Sequence, residues 1–361
     1  MTTIFNNSLD GYRLLGRSGL RVSPMALGTM TFGTDWGWGA DKHEARRIFD
    51  AYVSRGGNFL DTASNYTNGT AEEWLGEFAT GNRESLVLAT KYTMLRRLTD
   101  PNSGGNHRKN MRASVEASLR RLRTDYLDLL YLHMWDDRTP VDEILRGMDD
   151  LVRAGKVLYV GLSNTPAWQI SRMQTIADLR GWTPLTAVQL EYNLAERTAE
   201  HDLLPMAKEL GLGVIGWSPL AGGVLTGKYT RADLPSNTER PTVGSSRRDL
   251  ILAGDGLTDR VLALADVVRL VARQLGRSPA QVALAWTLAQ PMVTAPILGA
   301  RTRQQFEDNV GAMTLNFDDH QLDRLREAST TAPTYPHGVL ARPLSRRSVF
   351  GDMRIDARTE I

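Results

Sequence analysis

Eight short runs of apolar residues alternate with helix-like segments between residues 25 and about 313, and no other feature constrains the fold as strongly. Most runs are apolar at successive positions, as in LDLLYLH at 127–133 and VLYVGLS at 157–163. Strands that are buried on both faces, as in a parallel sheet, have this pattern. The eight predicted strands are residues 25–29, 58–63, 86–91, 127–133, 157–163, 187–191, 213–218 and 294–299.

The segments between these runs carry the start and stop signals of helices. Residues 41–56 are periodic and end at a pair of glycines, and residues 110–122 have an apolar face. Residues 139–155 have Pro140 in the first turn and end at Gly155, a distribution of Pro and Gly that is typical of helix ends. The longer gap between the seventh and eighth runs holds two predicted helices, 259–275 and 278–288.

Eight such units predict an α/β protein of the (β/α)8, or TIM barrel, class, because that fold repeats a strand–helix unit eight times. A doubly wound sheet shows the same alternation and remains the alternative. We predict a single domain over residues 1–361, with a β-hairpin at about 11–24 across the barrel bottom, the barrel at about 25–315, and an irregular tail at about 330–361. An extra helix is expected between strands 7 and 8, and residues 229–255 are polar and predict a long irregular loop.

The composition excludes several classes of function. The chain has no cysteine, which rules out disulfides, thiolate nucleophiles and zinc–cysteine sites. Its six histidines are scattered without an H-E-x-x-H motif, so no metal site is predicted. Lys and Arg exceed Asp and Glu by only two, which argues against nucleic acid or a membrane surface as a partner. The chain shows neither a signal-like start nor a long apolar run, so we expect a cytoplasmic protein.

Two glycine-rich segments resemble nucleotide-binding motifs but lack the context that those motifs require. GLGVIG at 211–216 fits G-x-G-x-x-G, yet a predicted helix precedes it and a strand follows, which reverses the dinucleotide-binding order. GGVLTGKY at 222–229 is close to a P-loop, but Tyr229 stands where a Ser or Thr would bind Mg²⁺. A glycine-rich turn followed by Lys228 can still bind phosphate groups without hydrolysing them.

Titratable residues stand near the C-terminal ends of three neighbouring strands, where barrels of this class have their active sites. The second run ends in FLDTASNY, which supplies Asp61 and Tyr66, while the third run ends at Lys91 and the fourth at His133. For each residue taken alone, a structural ion pair or a core histidine is the alternative. Four titratable groups that converge on one rim are the pattern of an active site with tuned pKa values.

This set of residues suits the protonation of a carbonyl oxygen. A Tyr with an ordinary pKa near 10 is a poor acid at neutral pH, and a nearby Lys⁺ favours its ionised form. An Asp would hold that Lys in place, and a neutral His could orient the same oxygen by a hydrogen bond. The set contains no hydride source, so reduction of the carbonyl would require a nicotinamide cofactor.

These residues lie in segments by which the chain resembles the aldo-keto reductase superfamily, in particular its aryl-alcohol-dehydrogenase-like members and the branch of potassium-channel β-subunits. The resemblance covers residues 11–315 and implies an NADP-dependent enzyme that reduces an aldehyde or ketone to an alcohol. It implies Tyr66 as the general acid, Lys91 and Asp61 as the pair that adjusts the pKa of Tyr66, and His133 as the residue that orients the carbonyl. The segments are MALGTMTFG (25–33), GGNFLDTASNY (56–66), LATKY (88–92), SLRRLRTDYLDLLYLH (118–133), AGKVLYVGLSN (154–164), VQLEYN (188–193), GWSPLAGGVLTGKY (216–229) and PILGARTRQQFEDN (296–309).

The same resemblance implies a cofactor site along the rim. Ser163, Asn164 and Gln189 would bind the carboxamide, and Trp217 would stack on the nicotinamide ring. Arg301 has a planar guanidinium group whose paired donors suit a 2′-phosphate, so NADP(H) is expected rather than NAD(H). The other implied cofactor-binding residues are Gly28, Thr29, Met30 and Asp61 near the ring, Ser218, Pro219, Leu220, Ala221, Gly222, Leu225 and Lys228 at the pyrophosphate, and Gly299, Gln305, Asp308 and Asn309 at the adenosine.

The substrate is less constrained by the sequence than the reaction. Trp36, Trp38, Tyr92 and Trp135 follow strand ends and predict a pocket for an apolar carbonyl compound, although the Trp residues could equally pack loops. A cofactor-binding regulatory subunit of a channel or other complex, with little turnover, is the alternative function. A barrel hydrolase or lyase would need paired carboxylates or a metal at the rim, and the sequence shows neither. The sequence leaves a homo-oligomer open.

Overall fold

The computed structural model describes residues 8–234, 247–254 and 256–353. It consists of a two-stranded antiparallel hairpin followed by a closed barrel of eight parallel strands that pair in chain order. The hairpin strands are β1 (Arg13–Leu14) and β2 (Arg21–Val22). The barrel strands are β3 (Ala26–Gly28), β4 (Phe59–Asp61), β5 (Val87–Tyr92), β6 (Leu127–Leu132), β7 (Val157–Ser163), β8 (Leu185–Glu191), β9 (Gly213–Trp217) and β10 (Ala295–Leu298).

The register of the last strand shows that the sheet closes. Ile297 lies opposite Ala26 on β3, and Ala295 lies opposite Ile215 on β9, so β10 pairs with both. An open doubly wound sheet leaves two unpaired edges, and this sheet has none. The prediction of a TIM barrel is therefore confirmed.

Side chains of the strands alternate between two apolar regions. Inside the barrel, Phe59, Leu129 and Ile215 pack with the buried side chains of other strands. Between the strands and the helices, a larger core includes the next residues along the same strands, such as Leu60 and Leu130. Burial on both faces explains why the runs in the sequence are apolar at successive positions.

The hairpin closes the N-terminal end of the barrel, as predicted. Leu15 and Val22 are fully buried and pack with the side chains of the barrel interior. Gly16 has φ of +57°, and a Cβ at this position would lie 2.5 Å from the carbonyl oxygen of Thr186. Glycine is therefore required for the turn to approach the strand ends.

Helices surround the barrel and follow its strands. Asp41, Thr258, Ser278, Thr302 and Asp318 cap helix N-termini with their side chains, which satisfies amide groups that the helix leaves unpaired. The helices are α1 (Lys42–Val53), α2 (Thr70–Phe78), α3 (Arg108–Leu122), α4 (Val141–Arg153), α5 (Ala167–Arg180), α6 (Leu203–Leu210), α7 (Arg247–Ala253), α8 (Asp259–Leu275), α9 (Pro279–Leu288), α10 (Arg303–Val310), α11 (Asp319–Ser329), α12 (His337–Leu340) and α13 (Pro343–Phe350).

Two expectations about irregular segments need correction. The region 229–255 contains α7, which packs Ile251 and Leu252 into the outer core. The described residues between β9 and β10 therefore include three α-helices rather than the two predicted. The rest of that predicted loop, 235–246 and residue 255, lies outside the described residues.

The predicted irregular tail carries α12 and α13. It meets the barrel where the His337 ring stacks on His201 and its Nε2 lies 2.8 Å from Asp202 Oδ1. Residues 354–361 of the tail lie outside the described residues. Among the helices within the described ranges, none has the length and apolar character needed to cross a bilayer.

Candidate active site

Unusual backbone conformations concentrate at the C-terminal ends of the strands. Of the eight non-glycine residues with positive φ in the described ranges, seven follow a barrel strand at this end. Such conformations cost roughly 1–3 kcal/mol each and persist where the surrounding structure holds them, often at functional sites. The seven residues are Thr67, Asn68, Thr93, Asp137, Asn164, Ser218 and Ala221.

The structure brings Asp61, Lys91 and Tyr66 together at this rim. Lys91 lies at the end of β5, and its Nζ lies 2.6 Å from Asp61 Oδ2 and 2.7 Å from the carbonyl oxygen of Thr62. The same Nζ donates to Tyr66 Oη over 3.3 Å. The ammonium group is therefore held by Asp61 and directed at the phenol oxygen.

Both charges of this ion pair are buried. The side chains of Lys91 and Asp61 are 0% and 3% exposed. Burial by itself would lower the pKa of Lys91, but the opposing attraction of Asp61 and Tyr66 raises it above its usual value. Lys91 therefore remains a cation, and Asp61 is further held by Gln189 Nε2, which donates to its Oδ1 over 2.7 Å.

His133 follows β6 and faces the phenol. The ring centroids of Tyr66 and His133 lie 5.9 Å apart with the rings nearly perpendicular. Burial, and to a lesser extent the nearby Lys91 cation, lowers the pKa of His133 to about 3. The imidazole is therefore neutral at physiological pH, and its Nδ1 is a buried atom without a hydrogen-bond partner in the described structure.

The depressed pKa of His133 predicts a pH dependence of stability. Between its folded value of about 3 and the ordinary value of about 6.5, the unfolded chain binds a proton that the folded chain does not. This contribution to the free energy of unfolding is full above about pH 6.5 and falls by up to ~1.4 kcal/mol per pH unit as the pH decreases towards 3. The free energy of unfolding, measured in urea, should decrease more between pH 7 and pH 5 in the wild type than in His133→Gln. Parallel losses would contradict the buried neutral imidazole.

A second group of rim residues joins β6, β7 and β9. Asn164 Nδ2 donates to the carbonyl oxygen of His133 over 2.9 Å and to Ser163 Oγ over 3.1 Å. Trp217 Nε1 donates to Asn164 Oδ1 over 3.2 Å. Ser163 and Gln189 are buried, whereas Trp217 is half-buried. The Asn164 amide and the Trp217 indole are thus placed side by side at the mouth, against the backbone of His133.

The segment after β9 forms a half-buried turn next to a lysine. Ser218, Ala221, Gly222 and Gly223 all have positive φ, and the Gly222 amide donates to Ser218 Oγ over 2.9 Å. A Cβ on Gly223 would lie 3.0 Å from Lys228 Nζ, so the missing side chain leaves the ammonium close to the turn. Leu225 is fully buried in the outer core and its amide donates to the carbonyl oxygen of Leu220, so the structure does not bring this predicted residue to the surface of the rim.

The rim after β10 carries the predicted adenosine-binding residues. Arg301 and Gln305 are exposed, and the Arg301 amide donates to Gln305 Oε1 over 2.9 Å. Asn309 is buried. Asp308 instead accepts hydrogen bonds from Ser278 Oγ and Gln281 Nε2, which join α10 to α9. On the other side of the rim, Gly28 and Thr29 are buried and the Thr29 hydroxyl donates to the carbonyl oxygen of Asp61.

Three of the four predicted substrate residues are half-buried near the mouth. The Trp36 ring lies edge-on to Tyr66 at a centroid distance of 6.4 Å and 5.7 Å from the Trp38 ring. Trp135 packs partly against the outer core. Tyr92 is the exception: it is 1% exposed, and its hydroxyl donates to the carbonyl oxygen of Asn106. Because side chains alternate along β5, Lys91 points into the barrel and Tyr92 points out towards the helices.

Sequence reasoning missed Asn193. This fully buried side chain donates from Nδ2 to the carbonyl oxygen of Ser218 over 3.0 Å and accepts from the amides of Ala195 and Glu196. It therefore fixes the start of the turn that follows β9. The sequence signal was its place in VQLEYN, just after the sixth predicted strand. Its partner Ser218 follows the next strand along the chain, so the contact is visible only in the fold.

Comparison with known proteins identifies the family. The model of the aldo/keto reductase family matches residues 24–330. The chain is 40% identical over 328 residues to the uncharacterized oxidoreductase YrpG of Bacillus subtilis, covering 88% of this chain and 95% of that protein. It is 37% identical over 345 residues to the norsolorinic acid reductase stcV of Emericella nidulans, covering 92% and 85%. It is 33% identical over 338 residues to an aryl-alcohol dehydrogenase [NADP(+)] of Phanerodontia chrysosporium, covering 88% and 86%. The chain is therefore an oxidoreductase that belongs to the aldo/keto reductase family.

Proposed function

We propose that this protein reduces an aldehyde or ketone to an alcohol with NADPH and that Tyr66 is the general acid. The observation that carries the proposal is the buried Lys91 ammonium, which lies between the Asp61 carboxylate and the Tyr66 oxygen at the barrel mouth. A structural ion pair would not need a phenol as its third member. The phenol is itself half-buried and reachable from the rim.

Each of the four residues has a distinct role in this reaction. Tyr66 Oη gives its proton to the carbonyl oxygen, and Lys91 stabilises the phenolate that remains. Asp61 holds Lys91 at the required place and compensates its charge in the buried site. The neutral His133 donates a hydrogen bond that orients the carbonyl oxygen. The nicotinamide cofactor, when bound, supplies the hydride.

The residues of the rim fit a nicotinamide dinucleotide. Asn164 and Ser163 offer amide and hydroxyl groups beside the half-buried Trp217 indole, as a flat ring with a carboxamide requires. The left-handed turn at Gly222 and Gly223 brings the backbone close to the Lys228 ammonium group, a charge that suits a pyrophosphate. The Arg301 guanidinium is exposed at the rim after β10, and its planar group of donors would suit a 2′-phosphate.

Two observations support an aromatic carbonyl compound as the substrate class. Trp36 and Trp38 lie against each other, and Trp36 meets the Tyr66 ring, so a flat apolar surface borders the proton donor. Relatives of the chain are named as reductases of norsolorinic acid and as an aryl-alcohol dehydrogenase of NADP(+).

Replacement of Arg301 by Ala should weaken NADPH binding far more than NADH binding. A guanidinium–phosphate hydrogen bond contributes about 1.5–3 kcal/mol, or roughly 10–150-fold in Kd. The dissociation constants of both cofactors can be measured by quenching of tryptophan fluorescence. Arg303→Ala, which removes a neighbouring exposed arginine, is the matched control. Equal losses for both cofactors in Arg301→Ala would show that this residue does not recognise the 2′-phosphate.

A panel of carbonyl compounds tests the function as a whole. The purified protein should consume NADPH, followed by its absorbance, in the presence of aromatic aldehydes and ketones. Tight NADPH binding without consumption across the panel would favour the regulatory subunit instead. Consumption with NADH alone would overturn the cofactor assignment while leaving the reaction class intact.

A further inference from the structure

The turn that carries Tyr66 is backbone-strained and depends on its surroundings. Thr67 and Asn68, directly after the tyrosine, have φ of 45° and 58°, and Gly69 has φ of 104°. A left-handed conformation costs roughly 1–2 kcal/mol at each non-glycine residue. A free segment of this sequence would relax to other conformations, so contacts from neighbouring elements must fix the position of the phenol.

One side of the turn is held by Thr67. Its hydroxyl donates to the carbonyl oxygen of Phe32 over 2.8 Å and accepts from the Ala71 amide over 3.1 Å. These contacts connect the turn to the segment that follows β3, the first barrel strand, and to α2. They lie after Tyr66 in the chain. Before it, the amides of Thr62 and Ser64 donate to the carbonyl oxygens of Ala89 and Lys91 on β5.

An ion pair with a buried carboxylate adds contacts from α3 to both sides of the turn. Arg121, near the end of α3, donates from Nε to Glu72 Oε2 over 2.7 Å and from Nη2 to the carbonyl oxygen of Ser64 over 3.3 Å. Its Cδ also lies 3.0 Å from where a Cβ on Gly69 would stand. The guanidinium group therefore touches the Tyr66 segment on both sides of the tyrosine.

The carboxylate of this pair is tied to the strand that carries Lys91. Glu72 is fully buried, and its Oε1 accepts from Thr90 Oγ1 over 2.6 Å. Thr90 directly precedes Lys91 on β5. A chain of charged and polar contacts thus runs from Ser64 through Arg121, Glu72 and Thr90, and it joins the turn of Tyr66 to the strand of Lys91.

We infer that Arg121 and Glu72 are positioning residues that hold the Tyr66 oxygen against Lys91 for proton transfer. The inference rests on the proposed function of Tyr66 as the general acid. Neither residue touches the reacting atoms, so their effect reaches the reaction only through the geometry of the turn. A misplacement of about 1 Å at a reacting group can cost on the order of 10²-fold in rate.

Single-turnover kinetics separate positioning from mere structural support. Enzyme preloaded with an equal concentration of NADPH is mixed with excess benzaldehyde, and the first turnover is followed by NADPH absorbance in stopped flow. The amplitude of the transient counts the competent molecules, whereas the rate constant reports the chemical step. A variant that only unfolds more readily would lose amplitude and keep its rate constant.

Three variants and one control define the test. Arg121→Met should lower the rate constant by about 10–100-fold at nearly unchanged NADPH Kd. Glu72→Gln keeps the size of the side chain and should also lower the rate constant. Arg121→Lys keeps the charge and should lower the rate constant less than Arg121→Met does. The control is Arg83→Met, because Arg83 forms a comparably buried pair with Asp128 over 2.7 Å at the opposite end of β5 and β6. Arg83→Met should lower thermal stability and leave the rate constant unchanged.

The outcomes distinguish failure of this inference from failure of the proposed function. A wild type that transfers no hydride to any carbonyl compound would overturn both. Rate constants within about twofold of the wild type in Glu72→Gln and Arg121→Lys, with only amplitude or melting temperature lowered, would overturn the positioning role alone. These two mild variants decide the question if Arg121→Met does not fold.

Discussion

Replacing Tyr66 by Phe is expected to lower the rate of carbonyl reduction by about 10²–10⁴-fold, the range typical of a lost general acid. The change removes one oxygen atom and keeps the ring that packs against Trp36 and His133. Cofactor affinity should change little, because the phenol contacts Lys91 rather than the residues proposed to hold the dinucleotide. The rate is measured as NADPH consumption and the Kd by fluorescence.

Tyr126→Phe is the matched control for this experiment. Tyr126 precedes β6 at the opposite end of the barrel, where its ring lies 3.9 Å from the Arg83 guanidinium. Loss of its hydroxyl should leave turnover and NADPH binding unchanged. Turnover of Tyr66→Phe near that of the wild type would remove Tyr66 from the mechanism and would direct attention to His133 as the proton donor.

Much of the fold could be predicted from the sequence because the strands of this barrel are buried on both faces. The runs at 127–133 and 157–163 correspond closely to β6 (Leu127–Leu132) and β7 (Val157–Ser163). The capping signal at Ser278 and Pro279 marks the start of α9 in the structure. Local patterns of this kind suffice where burial and capping act within a few residues.

The parts that could not be predicted depend on contacts between distant segments. Whether Lys91 or its neighbour Tyr92 faces the mouth is decided by the phase of the pleat, which the sequence of β5 (VLATKY) leaves ambiguous. Arg121 and Glu72 are separated along the chain by the rest of α2, by β5 and by most of α3, and each looks like an ordinary exposed helix charge. The helix α7 was missed because polar residues surround the short apolar stretch that contains Ile251 and Leu252.

Replacing Lys91 by Met should destabilise the protein as well as abolish reduction. Asp61 is 3% exposed and would lose its ion-pair partner while still accepting from Gln189. Removal of one member of a buried pair typically costs about 3–5 kcal/mol, because the remaining charge stays desolvated. The free energy of unfolding, from urea titrations at neutral pH, should fall by this amount, and turnover should become undetectable.

The double variant Lys91→Met with Asp61→Asn separates the two consequences. Asparagine removes the unpaired charge and keeps an oxygen that can accept from Gln189 Nε2, so most of the lost stability should return. Turnover should not return, because the phenolate of Tyr66 would have no cation 3.3 Å away to stabilise it. Recovery of both properties would mean that the ion pair serves only the fold. Recovery of neither would place the loss in the packing of the Met side chain. Recovery of stability alone is the result expected if Lys91 is catalytic. The ammonium group then stabilises the fold through its pairing with Asp61 and the reaction through its contact with Tyr66.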